Sequence, residues 1–415
     1  MELLPTEIMD QILSFVVELF SPKPSYRMPC LREGKPKHVL ATTTTAKRQL
    51  AALRLTGRVF YRSASVLLFQ ALTVGGHSPD SLERLERLSH SPQAACVRHL
   101  SFAFYHPELY MQSKSANLAD DVRYLQQLQQ GFNDCLPRFP GLREIVFAQP
   151  CCDPAPCDRD RYLDMVARTL RDVELPSLSE VHLHLEHAHS LRHILDAISS
   201  SSQPHTNDNL PRLRHLVLYA PGLNYDTIAQ GSPDPEAAAA AATQSHAARV
   251  LRLLGLAPNL ETLTLTTWVI GLDTFVLPSL RLRALCLLGV EIPSKCLLRF
   301  LKALQDTLRS ISFTHVRLRS GTWATVLTGM CSLPYLLQLN LECNGYSPSR
   351  AGFSLFHHMN GLVITSPYDL PALGALYRHI SRNRTAAGRQ PLMATPTEHN
   401  FSIHQELLKC VRRVS

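Results

Sequence analysis

The chain has 415 residues, 45% of them apolar, with 42 Lys and Arg against 34 Asp and Glu for a formal net charge of +8. That length exceeds one typical domain and can bury a sizeable core, and the apolar content excludes a mostly disordered protein. No apolar run approaches the roughly 20 residues that span a bilayer, and Glu2 stands where a secretory leader would carry positive charge. The expectation is a soluble protein of cytoplasm or nucleus, with no membrane partner.

The first predicted element is a helix in MELLPTEIMDQILSFVVELF, with Pro5 in its first turn and Glu7 at the positive end of its dipole. At about 100° per residue, Ile8, Ile12, Phe15 and Leu19 share a face that Met9, Leu13, Val16, Val17 and Phe20 extend. An apolar surface that wide needs more than one neighbour. A Pro-rich stretch from Ser21 to Ala46, with Pro22, Pro24, Pro29 and Pro36, reads as an inserted loop. Residues 47–74 then predict two short apolar helices, separated at Gly57 and around Ser63. LPTEIMDQIL, with its opening Leu-Pro and Ile/Leu helix, together with LRLTGRVFYRSASVLLFQALTV, resembles the F-box, a three-helix module. The likeness covers about residues 3–73, and the inserted loop departs from it.

Beyond residue 90 the pattern Pro-x-Leu-x-x-Φ-x-Φ, with Φ apolar, recurs as PGLREIVF from Pro140, PSLSEVHL from Pro176, PRLRHLVL from Pro211, PNLETLTL from Pro258 and PYLLQLNL from Pro334. VRHLSF at Val97, LRALCL at Leu282 and LRSISF at Leu308 are related cores. Each ends in the alternation of a strand, and RYLDMVARTL, HSLRHILDAI, ARVLRLLGL, SKCLLRFLKAL and GTWATVLTGM supply helical spacing between them. From Leu260 the steps to Leu282, Leu308 and Leu336 are 22, 26 and 28 residues, the range of leucine-rich repeats. LLQLNLECN, with Leu336, Leu339, Leu341 and Asn344, fits the repeat signature L-x-x-L-x-L-x-x-N; the other copies lack the Asn. An acidic, Ala-rich interruption from Asn224 to His246 reads as a loop entering a projecting helix.

The predicted fold is therefore α/β: a three-helix F-box over 1–75 with an inserted loop at 21–46, then a degenerate leucine-rich-repeat solenoid over 76–380, one helix and one short parallel strand per repeat, with an insertion at 224–246. Residues 381–415 are expected as a C-terminal tail with a short helix that caps the array or stays loose, and the basic stretch 378–389 as a solvated tail. RHISRNRTAAGR, residues 378–389, is the densest basic segment. Elsewhere Arg98, Arg143, Arg192, Arg214, Arg281 and Arg309 are spread rather than clustered, so nucleic acid is not an expected partner.

In L-x-x-L-x-L the Leu side chains enter the core and the flanking residues face the other way. This assigns to the open face His99, Ser101, Glu144, Val146, Glu180, His182, His215, Val217, Thr262, Thr264, Ser310, Ser312, Gln338 and Asn340. His99, Glu144, Glu180, His182, His215, Thr262, Thr264, Gln338 and Asn340 are its candidate substrate contacts. His182, His184, His187, His189 and His193 crowd together after Cys151, Cys152 and Cys157. The strand alternation explains the first two, and the Cys lack a paired C-x-x-C, so neither metal nor cofactor is expected. The 11 scattered Cys, an odd number, imply no disulfide framework. With no phosphate-binding Gly loop, no H-E-x-x-H and no nucleophile elbow, the chain is not expected to be an enzyme.

The combined pattern resembles the fungal F-box/leucine-rich-repeat proteins over nearly the whole chain. That resemblance implies a substrate-recognition subunit of an SCF-type cullin-RING ubiquitin ligase: the F-box binds a Skp-family adaptor and the repeats bind a protein substrate. Carried over, the adaptor contacts fall on Leu4, Pro5, Ile8, Met9, Leu13, Leu53, Val59, Phe60, Leu67, Leu68 and Phe69. The alternative is a leucine-rich-repeat scaffold acting independently of ubiquitination.

Overall fold

The computed structural model describes residues 11, 31–32, 35–36, 44–75, 79–103, 131–132, 134–148, 156–185, 188–199, 209–220, 235–266, 280–342, 344–346 and 368–392. The chain is α/β with a mostly parallel sheet, in two compact units. One comprises Met1–Thr267 with Pro278–Leu280, the other Trp268–Leu277 with Arg281–Ser415.

The first unit opens with a short antiparallel pair, β1 (Leu31–Arg32) and β2 (Lys35–Pro36), inside the segment expected to be loop. Helix α1 (Thr44–Thr56) begins before the expected boundary at Ala46, because the first helical turn has no intrahelical N–H partners to lose and β-branched Thr44 and Thr45 cost little there. Helix α2 (Arg58–Phe69) starts after Gly57 and runs unbroken through Ser63, contrary to the expected second break. Ser63, Ala64 and Ser65 are all buried: their small side chains let the helices approach, and Leu50 and Ala64 form a core against which Leu53, Leu67 and Leu68 pack.

The chain then leaves the helical pattern sooner than expected. ALTV, assigned above to the closing F-box helix, belongs to strand β3 (Ala71–Gly75), whose alternation buries Val74. Next come α3 (Pro79–Ser89), β4 (His99–Ala103), β5 (Glu144–Ala148), α4 (Pro156–Asp172), β6 (Glu180–His184), α5 (Ala188–Ser199), β7 (His215–Tyr219), α6 (Pro235–Leu256) and β8 (Thr262–Thr266). From β3 to β8 each strand pairs in parallel with its sequence neighbour, so the register repeats: His99, Glu144, Glu180, His215 and Thr262 stand in one row. The ladder extends one residue ahead of each strand, with Arg143 N donating to Arg98 O, Ser179 N to Arg143 O, Arg214 N to Ser179 O and Glu261 N to Arg214 O at 2.8–3.0 Å.

The Leu positions of the sequence pattern fill the core. Leu142, Leu178, Leu213 and Leu260 are all at most 2% exposed, as are the two apolar strand positions that follow each. Phe102, Phe132 and Phe147 cluster beside them, with ring centroids 4.4–6.3 Å apart. The Pro turns ahead of β4, β5 and β7 are short 3-10 segments, Pro92–Cys96, Leu136–Arg138 and Leu210–Arg212, where a residue without an N–H costs no bond. Helix α6 carries the Ala run, expected as helix, straight into ARVLRLLGL: the two form one 22-residue helix, and His246, Ala247, Val250, Leu253 and Leu254 are buried along it. These apolar positions recur at helical spacing, so packing extends the helix rather than ending it.

Asn209, fully buried, closes the end of α4. Its Nδ2 donates to Thr169 O, Leu170 O and Val173 O, at 2.7 Å for Val173, and its Oδ1 accepts from Leu175 N at 3.3 Å. No apolar residue can satisfy these groups. Asn209→Ala is expected to destabilise the chain by about 3 kcal/mol, since each orphaned buried partner costs about 1–3 kcal/mol. The check is urea denaturation followed by circular dichroism; a midpoint unchanged from wild type would show that water replaces the amide.

The second unit repeats a strand, a two-residue strand and a helix: β9 (Ala284–Leu288), β10 (Glu291–Ile292), α7 (Ser294–Ala303), β11 (Ser310–Thr314), β12 (Arg317–Leu318), α8 (Trp323–Met330), β13 (Gln338–Glu342), β14 (Gly345–Tyr346) and α9 (Asp369–Ala386). β9, β11 and β13 pair in parallel, and β10, β12 and β14 form a second parallel ladder. Asn344, fully buried, explains its place in LLQLNLECN: its Nδ2 donates to Phe313 O and its Oδ1 accepts from Val316 N, each at 2.8 Å, tying this turn to the preceding one.

The basic segment 378–389 is no solvated tail. It lies largely in α9, which buries Leu373, Leu376 and Ile380 along one stripe. Asn383 Nδ2 donates to Leu336 O at 3.1 Å, Arg384 Nη1 to Leu337 O at 3.2 Å, and His379 Nε2 lies 3.0 Å from Leu333 O. The polar side chains thus serve carbonyls that lead into β13. The expected short helix FSIHQELLKCVRRV lies outside the described residues.

Candidate functional site

Period-2 alternation puts the first, third and fifth residues of β4–β7 on the face opposite the Leu core. Parallel register then stacks them into rows. The first row reads His99, Glu144, Glu180, His215; the second reads Ser101, Val146, His182, Val217. Glu144 sits between two histidines. Its Oε2 lies 2.7 Å from His99 Nδ1 and its Oε1 lies 3.6 Å from His182 Nε2. His182 Nε2 is also 3.1 Å from Glu180 Oε1. One ligand-type atom from each of Glu144, Glu180 and His182 falls within a 4.8 Å cluster.

The face is less open than the pattern implies. Glu144 is 4% exposed, Val217 5%, Thr264 1% and Ser312 0%. Strands about 4.8 Å apart carry neighbouring side chains into contact, so short ones are covered by longer ones in the same row. In the second unit Asn340 Nδ2 donates to Ser312 Oγ at 3.2 Å and Ser310 Oγ donates to Gln338 Oε1 at 3.3 Å.

The histidine run is divided by the fold. His182 and His184 lie on β6 with rings 6.3 Å apart, and His184 stacks on Tyr219 at 5.9 Å. Burial, and then the nearby His182, push the His184 imidazole down to about 4. His189 and His193 lie on α5, where His193 Nε2 is 2.8 Å from Asp164 Oδ1 of α4. Cys151, Cys152 and His187 lie outside the described residues. Linear crowding therefore misleads, and the structure joins His182 to Glu144 and Glu180, which was not anticipated. The available signal was the acid at one position of two successive copies, PGLREIVF and PSLSEVHL.

Of the adaptor-contact candidates, Leu4, Pro5, Ile8, Met9 and Leu13 lie outside the described residues, and Val59 lies in α2 with its side chain undescribed. Leu53, Leu67 and Leu68 are part-buried in the α1–α2 core, and Phe60 and Phe69 are half-buried. The Arg54 guanidinium lies over the rings of Tyr61 and Phe69, 4.6 and 5.2 Å from their centroids. The apolar side chains this pair leaves exposed are ones the sequence did not single out: Leu55 at 85%, Tyr61 at 44% and Val66 at 43%. Among the described residues, no helix is long and apolar enough to cross a membrane.

No family model matches the chain, and no curated protein matches it. Among solved structures, a thermostable mutant of a xylanase from Cellvibrio japonicus aligns over 79% of this chain and 86% of its own, with 13% identity and a TM-score of 0.16. The expectation of a chain without an active site is withdrawn and is not carried further. At that score the likeness transfers neither its fold nor its activity.

Proposed function

We propose that the chain is a substrate-recognition subunit of an SCF-type ubiquitin ligase, built as an F-box followed by a degenerate leucine-rich-repeat solenoid of the kind found in fungal F-box/leucine-rich-repeat proteins. The observation that carries this reading is the repeating unit: Leu142, Leu178, Leu213, Leu260, Leu282, Leu308 and Leu336 are each at most 2% exposed at the same position of their copies, ahead of strands paired in parallel within each unit. Such units bury their Leu only against neighbours. Asn344, bonded to the backbone of the preceding turn, adds the polar position of the repeat signature. The polar strand face is the surface offered to a protein substrate, and the adaptor takes the N-terminal helices, where Leu55, Tyr61 and Val66 join the expected contacts.

The test is a pull-down of the full chain with a purified Skp-family adaptor. Wild type is expected to bind. Pro5→Ala with Ile8→Ala is expected to weaken binding about a thousandfold, since apolar anchors carry around 2 kcal/mol each. An adaptor that ignores wild type, or binds the double variant equally, would overturn the F-box assignment and favour the scaffold. Ubiquitination of a co-purified partner in the reconstituted ligase separates receptor from scaffold.

A further inference from the structure

We propose that Glu144, Glu180 and His182 form a binding site for a divalent transition-metal ion of zinc-like chemistry, with His99 holding Glu144 in position. This goes beyond the receptor reading and does not depend on it. Glu144 and Glu180 are directly opposite on β5 and β6, where like charges repel, and Glu144 is only 4% exposed, so water cannot screen it well. A divalent cation shared by the two carboxylates offsets that repulsion.

The two distances from His182 fit such an ion, and the two carboxylate oxygens lie within 4.8 Å of each other. Two ligand atoms held about 2.0–2.2 Å from a tetrahedral zinc stand about 3.4 Å from each other. His182 Nε2 lies 3.1 Å from Glu180 Oε1 and 3.6 Å from Glu144 Oε1, bracketing that value. Two carboxylate oxygens and one imidazole nitrogen suit a borderline cation better than calcium, which takes oxygen ligands. Three protein ligands leave the fourth position to water. His99 supplies the orienting bond that ligating carboxylates commonly require: its Nδ1 occupies Glu144 Oε2 at 2.7 Å and leaves Oε1 toward His182.

The competing account is a hydrogen bond, with His182 Nε2–H shared between the two carboxylates. Titrating the metal-stripped full chain with Zn2+ against a chromophoric chelator decides between them. One equivalent per chain is expected, with His182→Gln and Glu180→Gln each weakening binding at least a hundredfold, His99→Ala about tenfold, and His193→Gln on α5 leaving it unchanged. Circular dichroism confirms that each variant is folded. Less than a tenth of an equivalent bound by wild type, or equal binding by folded His182→Gln, would overturn the site. A rise in thermal midpoint on adding Zn2+, lost in Glu180→Gln, gives a second readout independent of the chelator.

Discussion

Trp323→Ala is expected to destabilise the second unit by about 4 kcal/mol, within the range of buried aromatic truncations. Trp323 is fully buried at the start of α8, with its ring 6.2 Å from that of Phe313. Its Nε1 donates to Gly345 O at 2.7 Å, and its backbone N donates to Tyr346 OH at 3.0 Å. The Tyr346 hydroxyl in turn donates to Asp369 Oδ2, while Asp369 Oδ1 accepts from Ala324 N, each at 2.8 Å. The side chain therefore fills core volume and bonds to β14, while the backbone N–H groups of Trp323 and Ala324 tie α8 to β14 and α9. Truncation leaves a cavity and an orphaned carbonyl together. Trp323→Phe should recover most of the volume and lose only the indole bond, about 1 kcal/mol. Chemical denaturation of both variants, read by circular dichroism, would sink the argument if alanine cost no more than phenylalanine.

The second large effect is a loss of stability on acidification between pH 6.5 and 4. His184 and His246 are each held down to about 4 from the ordinary 6.5, His184 by burial and then His182, His246 by burial and then Arg249. Neither ring nitrogen of His246 has a hydrogen-bond partner among the described residues. The unfolded chain takes up these protons below pH 6.5, whereas the folded chain takes them up only near pH 4. Stability therefore falls as pH drops through this window and is unaffected by these groups below it. Each histidine contributes on the order of 3 kcal/mol, as a depressed pKa of this size requires. His246→Leu keeps the volume and removes one titration. Urea midpoints at pH 7, 5.5 and 4 should show a shallower acid loss in the variant; parallel curves would mean that His246 does not titrate with unfolding.

The two histidines illustrate how the sequence can be read correctly in one respect and miss another. The alternation Val181, His182, Leu183, His184 places both imidazoles opposite the core, and the strand does so. Nothing in that pattern says that His184 lies under Tyr219 or that His182 reaches across to Glu144. His246 looked like the edge of an insertion, yet it is inside the packed face of α6. The tail was misread similarly. Its arginines suggested solvent, while the apolar stripe of Leu373, Leu376 and Ile380 placed the segment on a helix, with its polar ends spent on backbone carbonyls.

By itself the sequence determined the local elements, because period 2 and period 3.6 are properties of adjacent residues. The Leu of each copy, the strand that follows it, the Pro turns and most helices were legible for that reason. Tertiary structure alone decided the break between α2 and β3, the run of α6 and α9, and above all the meeting of His99, Glu144, Glu180 and His182. Those four come from three separate strands, and only parallel pairing in a common register converts their separation along the chain into a few ångströms.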